Sequence, residues 1–317
     1  MRRRDWRASI VCTILMSGLF AGAIARDGRA AEQSFDSGGV QISYIDQGAG
    51  EAVVLIHGFG MSADEMWMHP PFAPTPLIPL LAKEYRVIAP DLRGHGASGK
   101  PHDAASYGCA MAEDLVRLLD HLGVSKAHVL GYSMGATVAG KLLASHPDRL
   151  LSVTFGGGGP VVQLSEEDTQ VIDATATSLE KGHGCVPLVM SLVPEGGPRP
   201  NKFQASMIST LLLRGKDKLA LAAVMRGQEG LAVTEEELAR SMVPVSFVYG
   251  DRESRGKLER ISTAVAALPQ AEVTVLEGRD HVTTAANWKF REALLKFVRE
   301  HRDDGSATAG IRVQKVN

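Results

Sequence analysis

The sequence predicts an α/β protein, a mostly parallel sheet with helices on both faces and a helical insertion late in the chain. Three observations carry this. Apolar runs at 52–57, 85–89, 127–132 and 150–155 show little polar alternation, as expected of strands covered on both faces. Helical segments separate the runs at a regular rhythm, the pattern of βαβ units. Residues 160–240 then break that rhythm with helix-like sequence, including Met190, Met207 and Met225, before alternation returns.

Taken in order, residues 33–45 read as an antiparallel hairpin. Polar and apolar residues alternate through Val40-Gln-Ile-Ser-Tyr-Ile45, and Ser37-Gly-Gly39 supplies the turn. The run at 52–57 halts at Gly58-Phe-Gly60. A Met-, Pro- and Trp-rich loop follows, then a helix over 77–84 and a strand at 85–89 that enters Pro90-Asp-Leu-Arg-Gly-His-Gly-Ala-Ser-Gly99. Leu115, Leu118, Leu119 and Leu122 fall at helical spacing, so 110–122 is a helix, closed by Gly123. The run at 127–132 stops at Gly131-Tyr-Ser-Met-Gly135 and resumes as a small-residue helix that ends near His146-Pro147. After the insertion come a strand at 244–249, a helix over 257–267, a strand at 272–276 and a helix over 288–300.

The 317 residues are 44% hydrophobic and 22% charged with a net charge of -2, so no basic excess suggests nucleic acid and no charge block suggests an interaction tail. Arg2, Arg3, Arg4 and Arg7 precede an apolar stretch over about 8–24 and small residues at 23–25 and 28–30. That is the layout of a signal peptide, removed near residue 26 or 31, and it implies an exported, periplasmic or secreted protein. As a membrane anchor the stretch is slightly short and carries Ser9, Thr13 and Ser17. With Cys12 leaving in the signal, Cys109 and Cys185 allow one disulfide or two separate buried thiols. The expected division is a signal at about 1–30, a core from 31–159 and 241–300, a helical cap at 160–240 and a polar tail at 301–317.

The chemistry centres on Ser133. A G-x-S-x-G pattern between strand and helix is a nucleophile elbow, where a sharp turn exposes the serine at the mouth of the sheet. Serine needs an adjacent base, itself oriented by an acid. His281, in Gly278-Arg-Asp-His281, lies just past the last strand, where a loop can carry its imidazole to Ser133. The acid is Asp251 or Glu253, both just past the strand at 244–249; Asp280 adjoins His281 and would point away from it. Backbone amides of Phe59 and Met134 are expected to hold the oxyanion, and His57 to brace the loop that carries Phe59.

These pieces, in this order, resemble the α/β-hydrolase fold superfamily, in its esterase-like branch with a helical cap. The resemblance rests on His57-Gly-Phe-Gly60, Asp91-Leu-Arg-Gly-His-Gly-Ala-Ser98, Gly131-Tyr-Ser-Met-Gly135 and Gly278-Arg-Asp-His281 and spans about 40–300. It implies a serine hydrolase acting on a small acyl substrate, without cofactor or metal. In such relatives the acid follows the strand-ending glycine by three residues, which favours Glu253, where Asp is the commoner residue; Asp251 remains the rival. The same resemblance extends to cofactor-free perhydrolases or haloperoxidases, carbon-carbon bond hydrolases and acyltransferases. Dehalogenases and epoxide hydrolases of this type place Asp where Ser133 stands. A non-enzymatic binding module of the same fold is the alternative of another class.

Two other motifs carry less. Gly94-His-Gly-Ala-Ser-Gly99 matches G-x-G-x-x-G, but Lys100-Pro101 follows and no helix opens there to meet a pyrophosphate. His57, Asp91, His95 and His102 lack paired metal-ligand spacing. The cap is expected to line the acyl pocket, because flexible thioether side chains fit varied apolar groups.

Overall fold

The computed structural model describes residues 33–71, 75–194 and 196–303. The expected signal segment, Cys12 and the tail beyond residue 303 lie outside the described residues.

Strands β1 (Gln33–Asp36) and β2 (Gln41–Gln47) form the expected hairpin, in which Asp36 faces Gln41 and the Ser37 amide donates to the Val40 carbonyl at 2.9 Å. β3 (Ala52–Ile56) is buried at every position. Next come α1 (Leu77–Leu81), β4 (Arg86–Pro90), α2 (Cys109–His121), β5 (Ala127–Tyr132), α3 (Met134–Ser145) and β6 (Leu150–Gly156). The insertion contributes α4 (Glu166–Glu180), α5 (Val186–Ser191), α6 (Lys202–Leu212), α7 (Lys218–Arg226) and α8 (Glu235–Ala239). The chain returns to the sheet through β7 (Val245–Gly250), α9 (Arg255–Ala266), β8 (Glu272–Leu276), α10 (His281–Ala286) and α11 (Trp288–Glu300).

Among the described residues the sheet has eight strands in the order β1-β2-β4-β3-β5-β6-β7-β8. β1, β2 and β4 pair antiparallel, and the pairs from β4 through β3, β5, β6 and β7 to β8 are parallel. Successive residues of a strand face opposite sides, so a strand covered on both sides needs apolar residues at every position. Val54, Ile56, Val129 and Phe155 pack with α2 and α3 through Leu115, Leu118, Val138 and Leu142. Val53, Leu55 and Leu130 pack the other way, with Leu81 of α1 and Phe290 and Leu294 of α11. β8 differs because it is an edge: Val273 and Val275 are exposed.

The insertion has a small core of its own, built from Ala176 and Leu179 of α4, Cys185, Leu213, and Leu221 and Met225 of α7. Its helices start on local signals. Ser165 and Asp168 form a capping box at α4, as do Thr234 and Glu237 at α8. Phe59 packs against both this cluster and the main core, so the insertion rests on the loop after β3.

Three expectations about elements need correction, and one open alternative closes. The helix expected over 77–84 ends at Leu81, and the one expected from 257 begins at Arg255. His281 sits at the first residue of α10 rather than on a loop, because Asp280 accepts from the Val282 and Thr283 amides and starts a helix there. Cys109 and Cys185 are both free, so the disulfide is not formed, and of the two thiols only Cys185 is buried while Cys109 is exposed. No helix among the described residues is long and apolar enough to cross a membrane.

Candidate active site

β5 lies inside the sheet, between β3 and β6, and its chain reverses at Ser133. Ser133 has φ 57° and ψ −115°, a positive φ that no other non-glycine residue among those described adopts. Such a conformation costs about 1–3 kcal/mol and persists only where the surroundings enforce it. Here they do. A side chain at Gly131 would run into the Gly135 backbone, and one at Gly135 into the carbonyls of Ile56 and His57. The two glycines let β5, the turn and β3 close on one another, and the Ser133 amide is tied to the Gly156 carbonyl at 2.9 Å.

Three strand spacings separate β5 from β8, about 14 Å, so the histidine must be carried back across the sheet end. The structure brings it. His281 Nε2 lies 2.9 Å from Ser133 Oγ, and His281 Nδ1 lies 3.0 Å from Glu253 Oε2 and 3.3 Å from Oε1. The Tyr132 hydroxyl donates to the His281 carbonyl at 2.6 Å and fixes the residue from below. Glu253 is 2% and His281 8% exposed, so this hydrogen-bonded line is sheltered from water. Burial holds the His281 imidazole below its ordinary pKa; the Lys257 ammonium pushes in the same direction, and Glu253 opposes both.

The rival carboxylates are employed elsewhere. Asp251 is exposed and accepts the Gly278 amide at 2.7 Å, and Asp280 caps α10. The structure brings neither to the His281 ring.

The loop after β3 meets Ser133 because β3 and β5 are neighbours. His57 is fully buried at its root. Its Nε2 accepts from the Leu92 amide at 3.0 Å, which places the ring proton on Nδ1, 2.9 Å from the Gly58 carbonyl. Burial pushes the His57 pKa down, so the ring stays neutral; the bracing role expected of it fits this geometry. The Gly58 carbonyl also accepts from Met61 at 3.2 Å. In a trans peptide the amide points opposite to the carbonyl, so the Phe59 amide turns away from these partners. Among the described residues neither the Phe59 nor the Met134 amide has a protein acceptor, and both residues line the cavity with Ser133. Met134 is the first residue of α3, where an amide has no intrahelical partner.

Residues 51–180 match the alpha/beta hydrolase fold family. Over 278 residues the chain is 32% identical to the dihydrolipoyllysine-residue acetyltransferase component of the acetoin cleaving system of Cupriavidus necator, covering 85% of this chain and 69% of that protein. This chain belongs to the alpha/beta hydrolase family. It is also similar to the fluoroacetate dehalogenase of a Burkholderia species, 38% identical over 136 residues that cover 42% of each protein. Among solved structures it is similar to the 2-hydroxy-6-oxo-6-phenylhexa-2,4-dienoate hydrolase of Rhodococcus sp. strain RHA1, with a TM-score of 0.63 and 26% identity over 84% of this chain and 98% of that one.

In this alpha/beta hydrolase the loop at 91–99 is structural. The Asp91 carboxylate accepts from Ala63 at 2.7 Å and Ala97 at 2.8 Å, and Ser98 Oγ donates to the Asp91 carbonyl at 2.6 Å. It makes turns and opens no helix, as expected from Pro101.

The hydrolase encloses a cavity of about 530 Å³ above Ser133. The insertion supplies much of its wall, including Val171, Ile172, Leu188 and Val189; Met190 and Met225 line it, whereas Met207 does not.

Sequence reasoning missed two lysines, one at this site and one bracing the loop beside it. Lys216, between α6 and α7, reaches from the insertion to the Gly60 carbonyl and to Glu65 Oε2, the latter at 2.7 Å. Lys257, in the first turn of α9, lines the cavity and is 9% exposed; its ammonium meets the Gly157 carbonyl at 3.3 Å. Burial pushes its pKa down to about 8, against Glu253 and Asp168, which hold the charge on. No periodicity or motif marks either residue, because a lone lysine on a helix or loop reads as a solvated one.

Proposed function

We propose that this alpha/beta hydrolase is a serine hydrolase that cleaves a carboxylic ester or related acyl substrate through an acyl-enzyme. The observation that carries the reading is the continuous line from Ser133 Oγ through the His281 ring to Glu253, ending on a serine at positive φ. In the first step Ser133 Oγ attacks the substrate carbonyl while His281 Nε2 takes its proton. Glu253 accepts from Nδ1, which keeps Nε2 unprotonated at rest and stabilises the imidazolium that forms. Negative charge develops on the carbonyl oxygen, and the Phe59 and Met134 amides are the donors offered to it. His281 then hands the proton to the leaving alcohol. Water, deprotonated by the same ring, releases the acid and restores Ser133.

The relatives span several reactions, and the nucleophile discriminates among them. Displacement of a halide from a saturated carbon by a serine would leave an ether, which water does not cleave under these conditions. A carboxylate nucleophile leaves a hydrolysable ester instead. Ser133 therefore favours attack at a carbonyl. The cavity size supports a small-molecule substrate rather than a macromolecule.

The test is covalent labelling with a fluorophosphonate. The wild type is expected to be labelled at Ser133 and to hydrolyse p-nitrophenyl esters, and Ser133→Ala to lose both, with kcat reduced roughly 10⁴-fold or more. A folded wild type that takes no label would defeat the reading in favour of a binding module.

A further inference from the structure

Lys257 is a buried cation that the acyl-transfer steps leave unused. Its ammonium has three donors, and among the described residues the one acceptor at hydrogen-bond distance is the Gly157 carbonyl, at a weak 3.3 Å. Burying an ammonium is costly unless something answers it. Glu253 and Asp168 contribute through their charge, but Glu253 is itself hydrogen-bonded to His281 and Asp168 is bridged to Arg260.

Glu167 and Asp168 also stand on the cavity wall, but the end of the helix that carries Lys257 presents donors. Ser254, Gly256 and Lys257 all line the cavity, so the first turn of the 12-residue α9 opens onto it. Ser254, the residue that begins this helix, makes no side-chain capping bond, which leaves the first-turn amides without that acceptor. A Cβ added at Gly256 would meet nothing within 4 Å, so the turn is bare on that side. One turn further on stands Arg260, also on the cavity wall and bridged to Asp168 at 3.0 Å. The Gly157 carbonyl that touches Lys257 belongs to the residue packed against the His281 ring, where an added Cβ would come within 3.2 Å of Cε1. The cation therefore sits beside the reacting centre.

We infer that Lys257 and the first turn of α9 form a carboxylate-binding subsite, so that the substrate is an ester carrying a second, anionic carboxylate. This inference rests on the acyl-transfer reading of Ser133. The carboxylate would occupy the donors that the Gly157 carbonyl leaves open, and its charge would answer the ammonium and the helix end together.

The experiment compares charged and neutral esters of matched shape at one pH. On the acyl side the pair is the mono-p-nitrophenyl ester of glutarate and that of glutaramate; on the leaving-group side it is 4-acetoxybenzoate and 4-acetoxybenzamide. The wild type is expected to favour the carboxylate in at least one pair, by about tenfold or more in kcat/KM. Lys257→Met should abolish that ratio, Lys257→Arg should retain part of it, and Lys257→Gln serves if the Met variant does not fold. A lysine that only balanced Glu253 would change both members of a pair alike and leave the ratio where it was. No preference in either wild-type pair overturns the inference, and so does a preference that survives Lys257→Met. Fluorophosphonate labelling of Ser133 without charge preference sinks this inference alone; absence of labelling sinks the acyl-transfer reading and this inference with it.

Discussion

At the scale of single residues, the site depends on which carboxylate meets His281 and on what burial does to the ring. Glu253 is within hydrogen-bond distance and Asp251 is committed to the Gly278 amide. Glu253→Gln is therefore expected to lower kcat roughly 10⁴-fold, while Asp251→Asn leaves it within a few-fold; steady-state kinetics of both variants decide. The pH dependence follows from the sign of the His281 shift. The ring must be neutral to act as a base, and burial together with Lys257 favours the neutral form, so the acid limb of kcat/KM should lie below the usual histidine value of about 6.5. Removing the Lys257 charge relieves one of the two causes, and in Lys257→Met the limb should move to higher pH. A limb that stays put in the variant would contradict this account. The serine and the histidine were legible in the sequence because each lies at a strand end in the required chain order. The acid was narrowed to two residues only, since both lie on one short loop and the choice turns on side-chain direction.

At the scale of elements, the insertion meets the loop after β3 through Phe59 and through one polar side chain. Lys216 binds the Gly60 carbonyl and Glu65, and so ties the segment between α6 and α7 to the loop that carries the Phe59 amide. Misplacing an oxyanion donor slows the chemical step more than it weakens substrate binding. Lys216→Met is accordingly expected to reduce kcat about tenfold to a hundredfold with KM changed less, as measured on a neutral p-nitrophenyl ester. An equal rise in KM with kcat intact would assign Lys216 to substrate binding instead. The strands and long helices were readable as elements because periodicity records burial: α11 spans Trp288–Glu300, the expected 288–300. α10 was not. Six residues are too few to show a period, and its start depends on the Asp280 side chain accepting two amides.

At the scale of the whole molecule, the sheet holds Ser133, Glu253 and His281 just past the ends of three different strands, and stability of the sheet is stability of the site. Phe155 on β6 is fully buried, with its ring 4.9 Å from that of Phe247 on β7, and it packs beneath the site between the strands that deliver Ser133 and Glu253. Phe155→Ala is expected to destabilise the protein by about 3–5 kcal/mol. Urea unfolding measures this, and a loss below about 1 kcal/mol would mean that the core closes over the cavity. The sequence by itself determined the α/β class, the strand order along the chain, the elbow and the histidine, because hydrophobic period and glycine placement are local properties that survive without the fold. The tertiary structure alone decided that Glu253 rather than Asp251 faces His281, that Cys109 and Cys185 stay apart, that Lys216 reaches the loop after β3 and that Lys257 lines the cavity. Those outcomes depend on distances between residues remote in the chain and on burial of charge, and neither leaves a mark in local composition.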